Sequence, residues 1–261
     1  EKAGIIKPGV PVISAVKIGE AADVIHERAK AEGCTLTLVD RDMEVLDLGL
    51  RGNKQIAQID GREFSLGLIG PHQVSNAACA EKTMLQLKIS KTAIARGLAE
   101  TIWPGRFEIL SEKPLIILDG AHNPAGVKML VETWRAFLAA RFGWSAHETD
   151  VRAHLVFASV TDKDIFPMAQ LLRPLASKVS LVRLANERSA EPALLAASFA
   201  GLPCACYDSV SAVWQDIVSA PESITLITGS LFLVGEMLAR RQGNGEEYHL
   251  NERLEKFATT R

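Results

Sequence analysis

Leu115-Ile116-Ile117-Leu118-Asp119-Gly120-Ala121-His122-Asn123-Pro124 is the stretch whose reading decides the fold class. It begins as an uninterrupted apolar run, the pattern of a strand buried on both faces, and the run stops at Asp119. Asn123 is a favoured N-cap, and Pro124 suits the first helical position, where no backbone donor is lost. Val127, Leu130, Val131, Trp134 and Leu138 then recur at helical spacing and define an amphipathic helix. An acid and a histidine thus stand where the carboxyl end of a strand meets the amino end of a helix. In open α/β sheets ligands bind at that edge, and free helix amides favour an anion there. Turn and cap chemistry accounts for Asp119 and Asn123 without any ligand. It does not account for His122.

Outward from this turn the pattern is regular. Strands are predicted at residues 115–118, 154–160, 179–184, 204–207 and 224–228, alternating with helices at 126–140, 164–177, 192–200, 210–218 and 231–241. Such alternation implies a mostly parallel, doubly wound sheet with helices on both faces. Upstream, a strand at 10–16, a helix at 20–31 and a strand at 35–39 read as a parallel βαβ piece. Alternating segments near 43–50 and 64–68 read as antiparallel strands, followed by helices at 74–87 and 91–102, the second capped by Ser90. Trp103-Pro104-Gly105-Arg106 breaks the helical pattern, so two domains are expected, 1–106 and 107–261. The polar end of the chain is expected to fray.

With 261 residues and 48% hydrophobic content the chain can bury two ordinary cores. A net charge of −2 leaves no global footprint for nucleic acid, so any phosphate binding has to be local. Cys34, Cys79, Cys204 and Cys206 sit among apolar neighbours without zinc-site partners, which predicts reduced, buried thiols in a cytoplasmic protein. No apolar run approaches the ~20 residues that span a bilayer, and no secretory pattern opens the chain. A soluble protein without membrane or nucleic-acid partners is expected.

Besides the Asp119 turn, two loops at predicted strand ends carry chemistry: Thr161-Asp162-Lys163-Asp164 following Ser159, and Thr228-Gly229-Ser230. Each also reads as plain structure: Asp162 and Asp164 as helix caps, Lys163 as a solvated surface residue, Gly229-Ser230 as a tight turn plus cap. There is no lysine-bearing glycine-rich phosphate loop, no G-x-G-x-x-G after a strand and no G-x-S-x-G elbow. In the first domain Gly70-Pro71-His72-Gln73 leads into a helix carrying Asn76, whose carboxamide, if buried, would present a donor and an acceptor to a base edge. Arg106 follows Pro and Gly at the domain junction, suited to grip a phosphate or to make a salt bridge.

Glu1-Lys2-Ala3-Gly4-Ile5-Ile6-Lys7-Pro8-Gly9, Gly70-Pro71-His72-Gln73 through Asn76-Ala77, Trp103-Pro104-Gly105-Arg106, Asp119 to Pro124, Asp162-Lys163-Asp164 and Thr228-Gly229-Ser230 together resemble, in this order, the folylpolyglutamate synthase / dihydrofolate synthase family. That family groups with the muramyl ligases. The resemblance implies a Mur-ligase-type central ATPase domain, present here only as its latter part, followed by a Rossmann-like ligase domain. It implies ATP-dependent joining of L-glutamate to dihydropteroate or a folate through an acyl phosphate, with ADP and phosphate released. By the same resemblance Asn76 contacts adenine, Arg106 reaches the nucleotide phosphates, and Asp119 binds the nucleotide. His122 lies near the phosphate and the incoming glutamate, with Ser230 towards the glutamate region. Lys2, carbamylated, would help hold Mg2+, a hard cation that prefers oxygen ligands.

The chain opens without methionine in what reads as a loop feeding a strand, and the glycine-rich phosphate loop of the family is expected upstream of Glu1. Two other readings stand beside the leading one: a muramyl-peptide ligase, and a truncated, non-catalytic nucleotide-binding module. The parent enzyme is expected to be a cytoplasmic monomer, and the chain by itself is expected to hydrolyse ATP negligibly.

Overall fold

In the computed structural model the apolar run Leu115–Leu118 is a strand in which every residue is buried. The structure describes residues 2–143, 152–220 and 224–241. Contacts divide the chain into Glu1–Ile102 and Trp103–Arg261. The predicted boundary lay after Arg106. The division falls earlier because the backbone of Gly105 is tied into the second unit, its carbonyl accepting from Gly120 N–H at 2.8 Å.

The first unit opens with β1 (Val12–Ser14), α1 (Glu20–Ala31) and β2 (Leu36–Leu38), where β1 and β2 pair in parallel as predicted. A short helix α2 (Val39–Asp42) takes over where the strand was expected to run on. The strands β3 (Val45–Arg51), β4 (Lys54–Ile59) and β5 (Arg62–Leu66) form an antiparallel meander. The middle strand, β4, was not predicted: Gln55 and Gln58 break its apolar alternation, although Gln55 is buried. Behind the meander lie α3 (Pro71–Gln86) and α4 (Lys91–Glu100), whose Ser90 side chain accepts from Ala93 N–H as predicted. Ile59, Phe64, Leu66, Val74, Ala78 and Ile94 are buried together there.

In the second unit β6 (Glu108–Glu112) and β7 (Leu115–Leu118) are antiparallel neighbours, and β6 was not predicted because Glu108, Ser111 and Glu112 hide a half-exposed edge strand. The succession continues with α5 (Pro124–Phe142), β8 (Ala153–Phe157), α6 (Ile165–Leu172), β9 (Ala176–Val182) and α7 (Pro192–Ala196). β10 (Cys204–Tyr207), α8 (Val210–Val218), β11 (Ile224–Thr228) and α9 (Leu231–Arg241) complete it. The sheet order is β10-β9-β8-β11-β7-β6, parallel except for β6. α6 stops short of its predicted end because Pro174 turns the next residues into a 3-10 segment and β9 starts at Ala176.

Helices cover both faces. Ile116, Leu118, Val156 and Ile227 pack with Val213, Ile217, Val234 and Met237 from α8 and α9. By strand alternation Leu155 and Phe157 face the other way, and the Phe157 ring meets Phe199 edge-on at 5.2 Å. All four cysteines are free, but they are not buried as expected: Cys34 and Cys79 are half-buried, Cys204 and Cys206 exposed. Cys204, Ala205 and Cys206 are all exposed on the edge strand β10. The expected frayed end lies outside the described residues.

Two stability predictions follow from the second unit. His154 is buried in β8 with Nε2 2.7 Å from Ser180 Oγ, and burial together with the nearby Lys178 ammonium lowers its pKa from 6.5 to about 4. The unfolded chain protonates there first, so this contribution to stability is present above pH 6.5 and lost as pH falls towards about 4. Urea midpoints should therefore decline more steeply with acid for the native sequence than for His154→Gln. Gly229 has φ of 111°, and a Cβ on it would lie 2.3 Å from the Ala158 carbonyl oxygen. Gly229→Ala should cost about 3 kcal/mol or more, read as a lowered urea midpoint.

Candidate functional site

β11 lies between β7 and β8, so the loops leaving those three strands are neighbours at one edge of the sheet. Backbone bonds join them: Asp119 N–H to Ile227 O at 3.0 Å, Gly229 N–H to Ala121 O at 3.0 Å, and Ala158 N–H to Thr228 O at 3.4 Å. The three loops singled out in the sequence are therefore one structural feature.

Asn123 caps α5 as predicted, its Oδ1 accepting from Gly126 N–H at 2.7 Å, with Pro124 in the first turn. Asp119 is half-buried and both its oxygens are engaged: Oδ1 accepts from Ala121 N–H and Oδ2 from Phe107 N–H, each at 2.9 Å. Burial raises its pKa, while those two amides and the charges of Arg106 and His122 pull the other way. Each oxygen keeps a further lone pair for another donor.

His122 is half-buried with Nδ1 2.8 Å from the Gly120 carbonyl oxygen. A carbonyl only accepts, so the ring donates from Nδ1, and the neutral imidazole carries its lone pair at Nε2.

Arg106 is exposed and makes no ion pair among the described residues, unlike the salt bridge considered from sequence. Its neighbours are held firmly. Gly105 N–H donates to Glu108 Oε2 at 2.8 Å, and the Gly105 carbonyl takes the Gly120 amide. Gly105 has φ of 69°, and a Cβ there would meet Val234 Cγ1 at 2.4 Å. Phe107, also left-handed with φ of 43°, is buried with its ring edge-on to Phe137 at 5.3 Å.

The remaining candidates fare differently. Ser230 is buried, and its Oγ accepts from Phe232 N–H at 3.1 Å, the turn-and-cap alternative. Asp162 pairs with Arg188 at 3.3 Å, both exposed, and Lys163 is half-buried. Asp164 makes no capping bond to α6. In the first unit Asn76 is exposed rather than buried, and its Nδ2 donates to buried Gln73 Oε1 at 3.0 Å. Gln73 Nε2 in turn lies 3.0 Å from His72 Nε2. The Asn76 head group is thereby oriented, with Oδ1 and one N–H left for a ligand.

Lys2 is exposed within the 3-10 turn Lys2–Ile5. No group of three or more His, Cys, Asp or Glu side chains among the described residues is placed to hold a metal ion.

Sequence reading overlooked Phe107 and Glu108, which fix the loop on either side of Arg106, and Arg188, whose carbonyl accepts from Thr161 N–H at 2.9 Å. Glu108 carried a signal, as the acid that follows Trp-Pro-Gly-Arg-Phe directly. A buried aromatic in a left-handed conformation carries none.

Residues 105–231 match the family "Mur ligase, glutamate ligase domain". Among curated proteins, the folylpolyglutamate synthase of Lacticaseibacillus casei is 30% identical over 248 residues, covering 89% of this chain and 54% of that protein. The dihydrofolate synthase/folylpolyglutamate synthase of Bacillus subtilis is 31% identical over 257 residues, covering 92% and 56%. Among solved structures, the Thermotoga maritima folylpolyglutamate synthase superposes with a TM-score of 0.75 at 27% identity, covering 96% of this chain and 58% of that one. The Mycobacterium tuberculosis folylpolyglutamate synthase complexed with ADP gives 0.73 at 25% identity, covering 95% and 58%. The chain spans a little over half the length of these relatives. With residues 105–231 matching the glutamate ligase domain and homology running along most of its length, the chain belongs to the folylpolyglutamate synthase / dihydrofolate synthase family of Mur ligases.

Proposed function

We propose that this chain serves an ATP-dependent ligation in which the amino group of L-glutamate is joined to a carboxylate of dihydropteroate or a folate, leaving ADP and phosphate. The observation that carries the reading is a coincidence of position. The residues matched to the glutamate ligase domain, 105–231, enclose Arg106, Asp119, His122 and Ser230, which lie on the loops at one sheet edge or on the Gly105 loop bonded to them.

Bound ATP would supply the phosphoryl group that turns an unreactive carboxylate into an acyl phosphate open to attack by an amine. Arg106, exposed and without an ion pair among the described residues, offers a planar guanidinium to phosphate oxygens. Asp119 orders the turn through the Phe107 and Ala121 amides and presents its remaining lone pairs to the nucleotide. The His122 lone pair at Nε2 accepts a proton from the incoming glutamate amine. Ser230, engaged by Phe232 N–H, shapes the glutamate side of this edge. Asn76 offers its oriented carboxamide to adenine. Lys2, exposed near the start of the chain, would if carbamylated offer oxygen to Mg2+, a hard cation otherwise satisfied by water and the nucleotide's phosphates. No helix among the described residues is long and apolar enough to cross a membrane.

Because the 261 residues include no lysine-bearing glycine-rich loop, the chain alone should release phosphate from ATP negligibly. The full-length protein, given ATP and magnesium, should release phosphate only when both glutamate and a pteroate or folate are present. Release without either, or with a UDP-muramyl substrate instead, would overturn the reading. In that protein His122→Gln should lower kcat roughly a hundredfold with little change in ADP affinity, as for loss of a proton acceptor.

A further inference from the structure

We infer that Glu108 is a positioning residue whose carboxylate, by holding the Gly105 amide, sets Arg106 for phosphate. The inference rests on the reading of Arg106 as a phosphate ligand.

Arg106 lies between two residues whose backbone amides are each taken by a carboxylate: Gly105 N–H by Glu108 Oε2 at 2.8 Å and Phe107 N–H by Asp119 Oδ2 at 2.9 Å. A long, exposed arginine on a free loop loses much of its binding energy to ordering. Here the backbone part of that ordering is already done. Glu108 is the first residue of β6, so its Cα is fixed by pairing with Leu118, the residue before Asp119. Its other oxygen, Oε1, lies 3.8 Å from Arg241 Nη1 at the end of α9, and its side chain is only 19% exposed. α9 also supplies Val234, against which Gly105 is packed. Glu108 therefore ties the Arg106 loop to both the sheet and α9. Its charge, directed at an amide and a guanidinium, is turned away from repelling a phosphate.

The test compares ADP with adenosine by calorimetry on the full-length protein and its Glu108→Ala, Glu108→Gln, Arg106→Ala and Glu108→Ala/Arg106→Ala variants. Loss of Glu108 should weaken ADP about tenfold, the scale of one charge-assisted contact, and leave adenosine unchanged. Glu108→Gln, which keeps an acceptor for the Gly105 amide, should restore most of the ADP affinity. The double variant should bind ADP no more weakly than Arg106→Ala alone, because the two act through one contact. Equal weakening of ADP and adenosine would show Glu108 to be merely structural and overturn the inference. So would native ADP affinity in Glu108→Ala when Arg106→Ala has lost it. If Arg106→Ala itself leaves the ADP preference intact, the reading of Arg106 fails and the inference falls with it.

Discussion

The carboxylate of Asp119, shared between the amides of Phe107 and Ala121, is the interaction on which the candidate site depends. One bond closes the turn that leaves β7. The other reaches across to the loop that enters β6, before the sheet has begun. Through it, a residue at the end of β7 fixes a piece of chain that is also held by Glu108, the Gly120 amide and the side chain of Val234. Phe107 is held in a left-handed conformation that a bulky residue otherwise avoids. Such a conformation costs on the order of 1–2 kcal/mol and persists only where its surroundings over-determine it. The Asp119 bond on its amide and the burial of its ring against Phe137 do so.

The glycines of the site answer to the same closeness. Gly120 sends its amide to the Gly105 carbonyl, and a Cβ on it would lie 2.6 Å from Leu231 Cδ2. Leu231 opens α9, which follows Thr228-Gly229-Ser230. The loop after β7 and the start of α9 therefore approach closely at Gly120, where a Cβ would have to displace the Leu231 side chain. An edge built this way presents His122 and Arg106 from a stiff base.

Much of this was legible in the chain. The strand at Leu115–Leu118, the Asn123 cap, the Pro124 start and the parallel alternation follow from local rules, because a strand covered on both faces is continuously apolar and a capped helix announces its first turn. β4 and β6 were not legible, since Gln55 and Glu108 are polar residues whose partners are set by tertiary structure. Gln55, for instance, is buried because Asp47, Gly49 and Gly70 together satisfy its carboxamide. Among site residues, Asn76 is exposed, and Gln73, one turn earlier, is the buried amide that holds it. Ser230, which the resemblance puts towards the glutamate region, also accepts from Phe232 N–H at the start of α9.

The choice of an acid at position 119 follows from the count of donors it faces. Two backbone amides converge on one side chain from different parts of the chain, and only a carboxylate accepts on both of its oxygens. An asparagine would turn an NH2 towards one of those amides and leave it unsatisfied, at a cost of roughly 1–3 kcal/mol. A protonated acid would meet a similar conflict on one oxygen. Burial pushes Asp119 in that direction, and the two amides with the charges of Arg106 and His122 oppose it. The same geometry that demands an acid therefore also works to keep it ionised. Arg106 gains from this, because its loop is pinned through the Phe107 amide.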